Sequence, residues 1–155
     1  MNLKVGLFIL SSAMLPVLNL MKDANPVEKD LPIQGTWQLV SGETIAKGKS
    51  TFTDYKKGMK QIKMFNGTHF AFFNHDLKHG KDPKPVFVAG GGTYTLKGNK
   101  YTEHLEYFIS RDWEDKTFEF TLSMKGDTLI QRGFEKDEKL GVDHEIIEKY
   151  VRLKN

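Results

Sequence analysis

Between Thr117 and Met124 the chain alternates without a break. Phe118, Phe120, Leu122 and Met124 are apolar, and Thr117, Glu119, Thr121 and Ser123 are polar. A period of two places one set on a buried face and the other in water, which is the pattern of a half-buried β-strand. Lys125-Gly126-Asp127 interrupts the alternation, and Thr128 to Phe134 resumes it. A short Gly-Asp turn between two such runs predicts a hairpin. The same grammar recurs upstream. Gly92 to Leu96 and Lys100 to Phe108 flank Lys97-Gly98-Asn99, and Gln61 to Phe65 and His69 to Asn74 flank Asn66-Gly67. With Gly35 to Glu43 as the first strand and His144 to Leu153 as the last, the pattern predicts about eight strands joined mostly by tight turns.

Two connections read as long, Thr44 to Lys60 and Lys78 to Val88. A sandwich would need more crossovers than these supply. The expected fold is therefore all-β, an up-and-down antiparallel β-barrel, which leaves no free sheet edge and encloses side chains or one small ligand.

The N-terminus has a different character. Met1-Asn2-Leu3-Lys4 carries one positive charge, and Val5 to Leu18 is almost wholly apolar or small. This is the build of a secretory signal, a helix too short to span a bilayer comfortably. Residues 1–24 are read as the signal peptide, 25–32 as a linker with Pro26 and Pro32, and 33–155 as the barrel domain. A secreted or periplasmic location follows, with membrane contact only through an uncleaved signal.

Composition narrows the chemistry. Cysteine is absent, which excludes a thiolate zinc site, a catalytic thiol, a disulfide framework and a Cys-linked lipid anchor. The net charge is +3, with lysines interleaved among acids rather than gathered on one stretch, so nucleic acid is not an expected partner. His75 and His79 stand close together but in a loop-like segment, and no metal site or other cofactor is expected. Haem ligation through His69 or His144 is a minor alternative. Gly90-Gly91-Gly92 opens a strand and not a helix, so it reads as a bulge or close strand crossing, not as a phosphate cradle.

Gly35-Thr36-Trp37 resembles the opening of a lipocalin-type, or calycin, barrel. That resemblance implies that Gly35 starts the first strand and that Trp37 plugs the closed end. It also implies that Arg152 packs over the indole from the last strand. The chain is similar to a bacterial lipocalin-like family of unknown function in five ordered segments. These are Ile62-Lys63-Met64-Phe65, Thr68-His69-Phe70-Ala71, Gly90-Gly91-Gly92-Thr93-Tyr94, Tyr101-Thr102-Glu103 and Gly126-Asp127-Thr128-Leu129. The resemblance spans residues 33 to 154 and implies a fold more than an activity.

Face assignment supplies the candidate site. On the strand from Lys100 to Phe108, Tyr101, Glu103, Leu105 and Tyr107 form the more apolar set and are expected to face inward. Glu103 is then a carboxylate inside a barrel, which needs partners to stay ionised. Tyr94, Tyr107, His69 or an Arg are the candidates for that partnership. Phe70, Phe72, Tyr94, Tyr101, Tyr107, Phe118 and Phe120 are the expected aromatic wall of a ligand cavity, with Glu103 fixing the ligand's polar end. The last strand has two mixed faces, so the Trp37–Arg152 contact depends on which of them turns inward.

No nucleophile–base pair or catalytic motif is present in the sequence, and no catalytic residue is assigned. The expected function is binding of a small hydrophobic or amphipathic molecule inside the barrel. The alternatives are a cell-envelope interaction module with a packed barrel, or an enzyme using Glu103. The oligomeric state is left open.

Overall fold

The computed structural model describes residues 29–81 and 83–154. The signal segment and the first part of the linker lie outside the described residues. Nine strands are found among the described residues: β1 (Gly35–Ala46), β2 (Lys49–Asp54), β3 (Met59–Phe65), β4 (His69–Asp76), β5 (Phe87–Lys97), β6 (Lys100–Phe108), β7 (Lys116–Lys125), β8 (Thr128–Asp137) and β9 (Val142–Arg152). Every pairing is antiparallel. The ladder from β3 to β9 runs in chain order, and β1 pairs with both β3 and β9, so eight strands close into a barrel.

The long connection expected from Thr44 to Lys60 is mostly strand. β1 continues to Ala46, turns through Lys47 and Gly48, and pairs back with β2. Along one edge of β1, residues 35–39 face β3 and residues 41–46 face β2. β2 is exposed over Lys49 to Phe52, so it has no buried face to stamp a hydrophobic period on its sequence.

Two irregularities re-aim side chains. β1 gains one residue at Val40 relative to β9. β6 gains one relative to β5, where Gly91 faces Tyr107 but Gly92 faces Leu105. An extra residue reverses the face of everything after it. Tyr107 is therefore 67% exposed, not inward, and Phe108 packs against the core in its place. The triple glycine is what lets the strands come this close. A Cβ on Gly92 would lie 2.0 Å from the His104 carbonyl oxygen, and one on Gly91 2.7 Å from that of Phe70.

One end is sealed. There the short turns after β3 and β5 meet residues 30–34, Gly67 beside Gln34 and Gly98 beside Asp30 and Leu31. Trp37 is fully buried and its indole N–H donates to the Ile33 carbonyl at 2.7 Å. The Arg152 guanidinium lies 4.2 Å from the Trp37 ring centre and donates to the Gln34 and Pro32 carbonyls at 2.6 and 2.5 Å. The inward face of β9 is thus the set Ile146, Glu148, Tyr150. Part of the presumed linker is docked: Asp30 accepts from the Gly98 N–H at 2.7 Å, and Leu31 packs on the core.

At the opposite end one seam is half closed. β7 and β8 pair only from Phe120–Gly133 to Lys125–Thr128. Past Gly133 the two strands part, tied again by Lys116 Nζ and Asp137 Oδ2 at 2.5 Å.

Candidate functional site

Alternation on four strands puts four hydrogen-bonding side chains into the barrel's interior. Lys63 on β3, Glu103 on β6 and Gln131 on β8 are 3, 8 and 2% exposed, and Glu148 of β9 joins them in the wall of an internal cavity of about 200 Å³. Lys63 is the centre. Its ammonium donates to Glu103 Oε1 and to Gln131 Oε1, the latter at 3.0 Å. It also lies 5.2 to 6.0 Å from the ring centres of Phe65, Phe70, Tyr101 and Tyr150. A buried charge persists only when paired and hydrogen-bonded, and both conditions are met here.

Two tyrosines complete the polar layer. The Tyr101 hydroxyl donates to Glu103 Oε1 at 2.7 Å, and that of Tyr150 to Glu148 Oε2 at 2.5 Å. Burial pushes both phenols well above their ordinary range, and the adjoining carboxylates push them further. Both therefore stay protonated donors. Glu135 also lines the cavity, with His144 Nε2 2.9 Å from its Oε2. Burial raises the carboxyls of Glu135 and Glu148. His144 opposes the shift at the first, and Lys63 and Tyr150 oppose it at the second. Asn74 Oδ1 is buried with no hydrogen-bond partner among the described residues, and Asn74 pairs in register with Gln61 of the cavity wall.

The expected site residues divide. Glu103 and Phe72 line the cavity. Phe70, Tyr101, Phe118 and Phe120 are buried in the core around it, not in its wall. Tyr94 lies toward the sealed end, where its hydroxyl accepts from the Gly67 N–H at 3.1 Å. Tyr107 is turned out by the β6 bulge. The partners of Glu103 are Lys63 and Tyr101, not Tyr94, Tyr107, His69 or an Arg. Lys63, Gln131 and Glu148 were missed because lysine, glutamine and glutamate default to the surface. Their signal was phase: each shares its strand's inward face with Phe65, Leu129 or Tyr150.

A second concavity lies outside the barrel. The glycines of β5 leave a trough of about 500 Å³ bordered by Phe73, Tyr107 and Ile109, which are 40, 67 and 54% exposed.

Fold and interior together define a class: a closed eight-stranded antiparallel barrel, sealed at one end, with a lysine-centred polar chamber. No family model and no curated protein matches the chain.

Proposed function

We propose that this chain is an exported, lipocalin-like binding barrel that holds a small amphipathic molecule in its interior chamber and performs no chemistry on it. The observation that carries this reading is a group of polar atoms that face the chamber and make no bond to protein. Glu103 accepts both of its protein donors on Oε1, and Gln131 uses its carbonyl for Lys63. The Glu103 Oε2 and Gln131 Nε2 atoms have no protein partner among the described residues. Among the described residues the fully buried side-chain atom without a partner is Asn74 Oδ1, so these chamber atoms are open to a small molecule. A ligand with both donors and acceptors pairs with them, with Phe72 and Ile146 as its apolar contacts. At about 200 Å³ the chamber is below the ~300–1,000 Å³ usual for drug-sized ligands, so the occupant is small.

Native mass spectrometry of the purified chain tests this. A small non-covalent adduct that disappears in Gln131→Leu supports the reading. A bare chain whose melting temperature no small polar compound raises would refute it.

The outer trough favours a second reading, an interaction module. Exposed Phe73, Tyr107 and Ile109 around a glycine floor form an apolar surface of the kind that docks other molecules. Retention of ligand uptake in Tyr107→Ser would separate the two readings.

A further inference from the structure

The chamber wall carries one ammonium, Lys63, against three carboxylates, Glu103, Glu135 and Glu148. Lys63 is committed to Glu103 and Gln131. Glu148 spends one oxygen on the Tyr150 hydroxyl, and Glu135 one on His144. That leaves Glu103 Oε2, Glu135 Oε1 and Glu148 Oε1 as acceptors without a protein donor among the described residues, beside one unused donor, Gln131 Nε2. The unmet demand is therefore for positive charge and N–H groups. An anion would enter against three like charges, and a neutral molecule would leave the carboxylates without counter-charge.

Size and walls agree with this. About 200 Å³ corresponds to six or seven water volumes at ~30 Å³ each, enough for an organic group of a few non-hydrogen atoms. Tyr150 and Phe72 offer π faces, which favour a cation over a neutral isostere. Lys63 already sits at 6.0 Å from the Tyr150 ring centre in the same surroundings.

We propose that the chamber's ligand is a small organic cation bearing N–H donors, such as a short alkylammonium or alkylguanidinium ion, held between Glu148, Glu135 and the free oxygen of Glu103. This rests on the reading that the interior chamber is the binding site. The groups that act electrostatically on or with Glu148 are Lys63, Tyr150, Tyr55, Glu135 and Glu103, and those for Glu135 are His144, Tyr55, Lys63, Glu103 and Glu148. Burial raises both carboxyls, and a cation seated between them favours their ionised forms. Binding therefore strengthens as pH rises from the acid side through the titration of Glu135 and Glu148.

The test is an NMR titration of the full chain with ethylguanidinium, its neutral isostere ethylurea, and propionate. Ethylguanidinium is expected to bind saturably and at least about tenfold more tightly than ethylurea, since a hydrogen bond to a charged group contributes more than one between neutral groups. Glu148→Gln and Glu135→Gln are each expected to weaken it by about tenfold and to flatten its pH dependence. Either folded variant serves if the other fails to fold. Ethylurea or propionate binding as tightly as ethylguanidinium would overturn the cation and leave the chamber reading intact. Chamber resonances that respond to none of the three would overturn both.

Discussion

Removing the Lys63 ammonium is expected to be the most damaging single polar change in the molecule. The side chains of Lys63 and Glu103 are 4% and 11% exposed, so bulk water reaches little of either partner. In Lys63→Met the Glu103 carboxylate keeps only the Tyr101 hydroxyl, inside a wall that already holds Glu135 and Glu148. Breaking one side of a buried pair costs about 3–5 kcal/mol. Against a typical total stability of ~5–15 kcal/mol, that is a large share. In a urea titration, with a slope near ~2 kcal/mol per molar, the midpoint falls by about 2 M. Removing the whole network together behaves differently. Lys63→Met, Glu103→Leu and Tyr101→Phe in one chain remove both members of the ion pair, so the cost is expected to fall below that of Lys63→Met alone, although Gln131 Oε1 loses its donor and Glu135 and Glu148 lose the nearby ammonium. A Lys63→Met loss below about 1 kcal/mol would mean the pair is screened as surface pairs are, and the reasoning from its burial would be wrong.

Other consequences can be checked in the same way. Arg152→Ala removes the contact over Trp37 and two bonds to the 32–34 backbone; a loss of about 0.5–2 kcal/mol from the cation–π contact is expected, and Arg152→Lys recovers only part of it. Gly92→Ala drives a methyl into the His104 carbonyl and is expected to cost about 1–3 kcal/mol or more by thermal denaturation, whereas Gly126→Ala meets no atom but a left-handed backbone and costs less. Because burial raises the Glu135 and Glu148 carboxyls, the folded chain holds their protons more tightly than the unfolded chain. Their contribution is complete below the ordinary carboxyl range and is lost as pH rises through the raised values. Melting temperature is thus expected to fall as pH rises above the ordinary carboxyl range, and a Glu135→Gln, Glu148→Gln chain is expected to lose that slope.

Much of the architecture was legible because a barrel strand with one dry face must alternate. Thr117 to Met124 alternates cleanly, and β7 occupies Lys116–Lys125. The Gly35, Trp37 and Arg152 closure was an expectation from the resemblance to a lipocalin-type opening, and Arg152 lies over the Trp37 ring. The losses have local causes. Tyr107 was misassigned because one extra residue in β6 reverses the face, and only the neighbouring strand's glycines hint at it. β2 was missed because a strand wet on both sides carries no period. The chamber was half legible: Glu103 was found as a carboxylate in an apolar phase. The same test applied to Lys63, Gln131 and Glu148 would have found its other walls.

The half-closed seam between β7 and β8 gives the barrel a clock. Glu135 belongs to the stretch of β8 that has parted from β7 and keeps its ladder only with β9, so on the β7 side this wall of the chamber is held by side chains and not by backbone hydrogen bonds. The tie at the rim is an ion pair, Lys116 with Asp137. Ion pairs near solvent weaken with salt, while β-ladders hardly notice it. The residence time of a chamber occupant is therefore expected to shorten as ionic strength rises, through a faster off-rate, and Lys116→Met is expected to reproduce that shortening at low salt. Stopped-flow dissociation would read both, and an off-rate indifferent to salt and to Lys116 would place the exit elsewhere.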